Sequence, residues 1–139
     1  MQDAYKRVKA VWYNLDLTYS RYARKMGINF TLLLILELLL ESDTDYTQKA
    51  LCEKLLLPKQ LVNTLIKSLW EQKYVELREA SDRRNKNIHL TPAGRAYAQS
   101  IIHPFDEAEE HAWRSFTDEE MVVFANAIEK YERVLAGYL

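Results

Sequence analysis

The sequence predicts one mainly α-helical domain over residues 1–139 that carries a small β-hairpin, an α+β fold. Three observations carry this expectation. Long stretches step their apolar residues three and four apart, which is the helical period. Three Gly and three Pro punctuate the whole chain, so long uninterrupted elements are expected. One short alternating run, Tyr74-Val75-Glu76-Leu77-Arg78, breaks the helical pattern and finds a return partner in Ile88-His89-Leu90. At 139 residues and 48% apolar content, the chain is long enough to bury roughly two-thirds of its unfolded surface in a packed core.

The elements follow in order. Residues 3–26 place Tyr5, Val8, Trp12, Leu15, Tyr19 and Tyr22 on one seam, as in a helix packed against another helix. Gly27 supplies a stop, and Asn29 can cap the next helix, over residues 30–41. Its apolar run, interrupted by Glu37, falls short of the ~20 residues that span a bilayer, so it reads as a core helix and no membrane partner is expected. Residues 42–45 form a loop. A short helix over residues 47–55 turns Ala50, Leu51 and Leu55 inward, and Leu56-Leu57 makes a tight connection. Pro58, pre-set for a first helical position, opens a helix that reaches about residue 72. Two short helices with so small a gap make a helix-turn-helix.

After the alternating run, the polar stretch over residues 80–87 is the tip of the hairpin. Thr91-Pro92, a cap followed by a first-turn proline, starts a helix towards residue 112 with a kink expected near Pro104. The last helix opens on a capping box, Thr117-Asp118-Glu119-Glu120, and carries a second seam of Met121, Phe124, Ile128, Tyr131, Leu135 and Tyr138. A seam at each end of the chain points to a homodimer through Tyr5, Val8, Trp12 and Leu15 together with the second seam; packing on their own domain is the other reading.

Net charge is −1, which hides a segregation. Residues 1–45 are neutral, residues 46–95 carry ten Lys and Arg against five Asp and Glu, and residues 96–139 carry three against nine. A basic middle implies a face that meets a polyanion, with ordinary surface scatter as the plain alternative. The one cysteine, Cys52, excludes an intramolecular disulfide and fits a reducing cytoplasm as a structural side chain. The first residues lack a secretory apolar region, so a cytoplasmic location is expected. No Gly-rich phosphate loop, nucleophile elbow or zinc-protease helix is present, so no enzyme and no cofactor are expected, and Asp106, Glu107, Glu109 and Glu110 read as a solvated face.

The helix after Pro58 turns Val62, Leu65, Ile66 and Leu69 inward and sets Gln60, Asn63, Thr64 and Lys67 on the opposite side. Gln and Asn can bond an adenine edge in two places, while Lys59 and Lys67 suit phosphates. Such a stripe alone is usually just solvated. The hairpin adds Arg83, Arg84 and Lys86, like charges crowded on a narrow projection that could enter a minor groove, with Asp82 placed to orient one guanidinium.

The run Asp82-Arg83-Arg84-Asn85-Lys86-Asn87-Ile88-His89-Leu90-Thr91-Pro92-Ala93-Gly94-Arg95 resembles the wing and following helix start of the MarR family of bacterial regulators. The matching pattern is Asp-x-Arg, a short tip, an apolar strand, then Leu-Thr-x-x-Gly. Leu57-Pro58-Lys59-Gln60-Leu61-Val62-Asn63 and Lys67-Ser68-Leu69 resemble that family's recognition helix. The resemblance implies a winged helix-turn-helix lobe over about residues 28–95, with dimerisation helices over about 1–27 and 96–139. It implies a repressor whose two recognition helices enter successive major grooves of double-stranded DNA. Arg84 would be the wing arginine and Asp82 its partner. Leu61 stands where many members carry Thr or Ser, and Lys73 where they often have Gly, so the turn at Lys73 must adopt a positive φ or be built differently.

The resemblance also implies a small aromatic effector, for which Trp12, Tyr13, Tyr19, Tyr22 and Phe30 could line a pocket; the same rings equally suit core and dimer surface. His103, Glu107 and His111 share one nominal helix face, which keeps a zinc-responsive regulator as an alternative. Solvated side chains with no metal are the default there. A winged-helix module acting on a protein partner is the remaining alternative.

Overall fold

A computed structural model describes residues 1–41, 45–82 and 84–139. The chain folds as two compact units, Met1–His103 and Pro104–Leu139. In chain order the elements are α1 (Gln2–Lys25), α2 (Phe30–Glu41), β1 (Tyr46–Thr47), α3 (Gln48–Leu55), α4 (Lys59–Glu71), β2 (Val75–Glu79), β3 (Lys86–Leu90), α5 (Pro92–Trp113) and α6 (Asp118–Ala136). The mainly helical fold with a small antiparallel sheet is as the sequence predicts. No helix among the described residues is long and apolar enough to cross a membrane.

Local chemistry sets the helix ends. Met26 closes α1, and Gly27 follows at φ +76, a conformation that L side chains rarely adopt. Asn29 Oδ1 accepts the Leu32 N–H at 2.8 Å, so α2 starts on a side-chain cap. Thr47 caps α3 by accepting from the Ala50 N–H. Pro58 is the N-cap of α4 rather than its first helical residue, with φ −60 and an extended ψ. At α6, Thr117 accepts from Glu120 N–H while Glu120 Oε2 accepts from Thr117 N–H, the reciprocal box that the sequence predicts. α5 runs through Pro104, which has no N–H to return to the Ser100 carbonyl.

The sheet order is β1-β3-β2, antiparallel throughout. The central strand β3 pairs Ile88 with Leu77 of β2 on one side and with Tyr46 of β1 on the other. The sequence reading places a helix from Thr47 and no strand before it; the two-residue β1 is an addition. His89 Nδ1 lies 3.0 Å from Asp45 Oδ1, tying β3 to the entry of β1. The loop expected over residues 42–45 falls, for residues 42–44, outside the described residues.

The core of the first unit is apolar from every side. Leu33, Ile35, Leu36 and Leu39 of α2 are buried with Leu51 of α3, Val62, Ile66 and Leu69 of α4, Val75 and Ile88 of the sheet, and Ala98, Ile101 and Ile102 of α5. Each such Val, Leu or Ile side chain removed from water contributes roughly 1.5–3 kcal/mol. This cluster fixes α3 and α4 against the sheet, so their outward faces hold a defined place relative to the hairpin.

The candidate nucleic-acid interface

Burying Val62, Ile66 and Leu69 rotates the opposite side of α4 into solvent. Lys59, Gln60, Asn63, Thr64 and Lys67 are all exposed there. Their chemistry is more constrained than the sequence implies. Thr64 Oγ1 donates to the Gln60 carbonyl at 2.9 Å, so its one donor is spent inside the helix. Lys67 Nζ lies 3.9 Å from Glu71 Oε1, an exposed pair that contributes little to stability and leaves the ammonium available to a stronger anion.

Both ends of α4 carry strained side-chain residues. Leu56, which closes α3, has φ +51, and Lys73, just beyond the α4 cap, has φ +62. The sequence anticipates a positive φ at Lys73 as one of two solutions. Nothing in the composition around Leu56 signals it, since a leucine there is neither Gly nor Asn. Left-handed backbone at a non-glycine residue costs roughly 1–2 kcal/mol.

The hairpin is locked to α4 by a set of short contacts at the start of α5. Thr91 Oγ1 donates to the Lys73 carbonyl at 2.7 Å and accepts from the Gly94 N–H at 3.0 Å. Thr91 N–H donates to the Tyr74 carbonyl at 3.0 Å. The backbones approach so closely that a Cβ on Gly94 would lie 1.7 Å from Tyr74 O. Tyr74 and Tyr97 stack beside this clasp, ring centroids 4.3 Å apart, and burial, followed by the neighbouring Tyr74, pushes the Tyr97 phenol above its ordinary value.

At the hairpin tip Asp82 accepts two hydrogen bonds from described residues. Its Oδ1 accepts the main-chain N–H of Arg84 at 3.0 Å, and its Oδ2 accepts Asn85 Nδ2 at 3.1 Å. The carboxylate therefore shapes the turn, and it holds Arg84 through the backbone rather than through the guanidinium. Arg84 and Lys86 are exposed, and Lys86 stands across the ladder from Glu79. Arg83 lies outside the described residues.

A cavity of about 580 Å³ joins these elements. Lys59 from the start of α4, Arg84, Asn85 and Lys86 from the hairpin, and Gln48, Lys49, Cys52 and Glu53 from α3 line it, with Leu77 of β2. The sequence reading does not select Gln48 or Lys49. Their place on the first turn of a short helix was visible, but their position beside the hairpin depends on the tertiary fold. Cys52 is half-buried.

The aromatic set does not converge as a whole. Tyr19 and Phe30 stack with centroids 5.8 Å apart, and the Tyr22 hydroxyl donates to the Ile101 carbonyl. Tyr13 is 66% exposed, and Trp12 is exposed as well. The seam residues Tyr5, Val8 and Leu15 of α1, and Phe124, Ile128, Tyr131, Leu135 and Tyr138 of α6, are exposed, while Met121 is half-buried. In the second unit Trp113, Phe116 and Phe124 cluster with centroids about 6 Å apart. Among the described residues no group of three His, Cys, Asp or Glu could hold a metal ion. His103, Glu107 and His111 are exposed on α5.

Comparison with known proteins agrees with this geometry. The chain is 32% identical over 89 residues to YsmB, described as an uncharacterized HTH-type transcriptional regulator, of Bacillus subtilis; the match spans 63% of this chain and 61% of that protein's length. Its fold is similar to that of NMB1585, a MarR family regulator from Neisseria meningitidis, at TM-score 0.77 and 24% identity over 96% of this chain and 94% of that one. It is also similar to S. aureus MepR solved as a DNA complex, at TM-score 0.72 and 20% identity over 94% and 96% of the two chains. Residues 26–85, from the end of α1 to the hairpin tip, match the model of the MarR family. That segment is thus similar to the MarR family, and the fold of the chain is similar to that of MarR family regulators.

Proposed function

We propose that this protein is a homodimeric repressor that binds double-stranded DNA, with residues 28–95 as the reading lobe and residues 1–27 and 96–139 as dimerisation segments. The observation that supports this best is the shared cavity: the first residue of α4 and two cations of the hairpin line one cleft. One duplex can then meet the helix in its major groove and the hairpin in the neighbouring minor groove. Gln60 and Asn63 bond base edges, and Lys59, Lys67 and Lys86 meet phosphates. Arg84, with Arg83 beside it in sequence, reaches the minor groove. That S. aureus MepR, whose fold is similar, has been solved as a DNA complex supports the reading.

Exposed apolar side chains support the dimer. Val8 and Leu15 on α1 and Ile128, Leu135 and Tyr138 on α6 are each more than a third exposed and recur at helical spacing, apolar side chains that a second copy can cover. Two-fold symmetry then implies a pseudo-palindromic operator with half-sites about one helical turn apart. A small aromatic effector near Tyr19, Tyr22 and Phe30 is the proposed release signal.

Fluorescence anisotropy tests the reading, with DNA from upstream of the protein's own gene against a scrambled duplex of equal length at about 150 mM salt. A preference of about a thousandfold or more is expected. Equal, weak binding to that duplex and to sites selected from a random library would overturn it.

A further inference from the structure

We propose that α4 reads thymine through its C5 methyl group, with Leu61 and the methyl of Thr64 as the contacts. This rests on the DNA-binding reading above and adds a specificity to it. Leu61 is 36% exposed, an apolar side chain on the second turn-face of a helix whose neighbouring exposed positions are Lys59, Gln60, Asn63 and Thr64. Leu61 and Thr64 are three residues apart, and Gln60 and Thr64 four, so the three side chains are neighbours on the helix surface.

The Thr64 hydroxyl already donates to the Gln60 carbonyl. What remains of that side chain is acceptor capacity and a methyl group, so the Leu61–Thr64 edge offers no free hydroxyl donor and two apolar groups.

The surroundings select the occupant. Lys67 stands three residues beyond Thr64 on the exposed face of α4, and Lys59 at the start of the helix shares its cavity with Arg84, Lys86 and Lys49. An apolar protein surface would bring no charge to match these cations. A polyanion with an apolar group set into it would satisfy both. In the major groove of duplex DNA that group is the thymine methyl, which apolar side chains contact and which distinguishes T·A from the other pairs.

The test starts from duplexes selected by the wild-type protein from a random library. The selected site is resynthesised with each thymine in turn replaced by deoxyuridine, which loses the methyl and keeps every hydrogen-bonding group. One or two thymines in each half-site should each raise Kd by about fourfold when demethylated, the transfer value of one buried methyl. That sensitivity should vanish at one of these positions in Leu61→Ala and at the other, where there are two, in Thr64→Ser, which keeps the hydroxyl. Both variants change exposed side chains, and unchanged thermal melting will show that they fold.

If the library yields an enriched site whose deoxyuridine versions all bind as the parent does, methyl readout is overturned while DNA recognition stands. Methyl sensitivity that persists unchanged in both variants overturns the assignment to Leu61 and Thr64. Failure to enrich any sequence overturns the DNA-binding reading and this inference with it.

Discussion

Gly94→Ala should be the most damaging small substitution in the chain, and the structure gives its size. The new Cβ would lie 1.7 Å from Tyr74 O, 2.6 Å from its carbonyl carbon and 2.9 Å from its Cα. All three are backbone atoms, so no side chain can swing aside. Relief to the 3.0 Å that real Cβ atoms respect requires the two backbones to part by about 1.3 Å. That displacement breaks the Thr91 hydroxyl bond to Lys73 O, now 2.7 Å, and the Thr91 N–H bond to Tyr74 O, now 3.0 Å. Each net loss is about 1 kcal/mol. The Tyr74–Tyr97 stack, worth about 1 kcal/mol beyond its area, is pulled open as well. The expected loss is about 3 kcal/mol in urea unfolding followed by circular dichroism. Two other glycines calibrate it. Gly137→Ala meets nothing nearer than 3.4 Å and should be neutral, whereas Gly27→Ala meets nothing within 4 Å yet holds φ +76 and should cost about 1 kcal/mol. A Gly94→Ala loss no larger than that of Gly27→Ala would refute the clasp.

Three further outcomes are expected. Arg84→Ala should weaken binding to the selected duplex by at least about tenfold, and Arg133→Ala should change it less than twofold; equal effects in anisotropy would remove the hairpin from the interface. Tyr97 has its phenol raised above 10.0 by burial and by Tyr74, so the neutral form is favoured in the fold. That contribution is complete below pH 10 and is lost as pH rises through the higher folded value, so wild type should lose stability above pH 10 more steeply than Tyr97→Phe in urea midpoints. Ile128→Glu with Leu135→Glu should raise the dimer dissociation constant on the order of a hundredfold in sedimentation velocity, and an unchanged dimer would relocate the interface.

Much of this fold is legible in the sequence because the signals are local. The Thr117–Glu120 box, the Asn29 cap and the Thr91-Pro92 start are each settled within four residues, and the helical seams repeat several times over. β1 is not legible because two residues have no period, and Tyr46 and Thr47 become strand only by pairing with Ile88 and Asn87 some forty positions away. Leu56 is not legible because its positive φ is imposed by the turn and not favoured by its side chain. At the interface the residue types are readable and their engagements are not. Thr64 turns its hydroxyl back on its own helix, and Asp82 accepts the main-chain N–H of Arg84. Both choices depend on geometry of an ångström or less, which sequence spacing does not carry.

The Thr91 clasp has a mechanical consequence. Lys73, Tyr74, Thr91 and Gly94 bind the exit of α4 and both feet of the hairpin into one stiff joint, so the reach from helix to hairpin tip is set before any partner arrives. Such a pair works as a fixed-gauge caliper. On the proposed DNA-binding reading, a duplex whose grooves match the gauge would be held at no elastic cost. One whose grooves are wider or narrower would have to bend or twist to the extent that the clasped joint does not yield. Sequence preference would then extend to base steps that no side chain touches, ranked by how readily they flex.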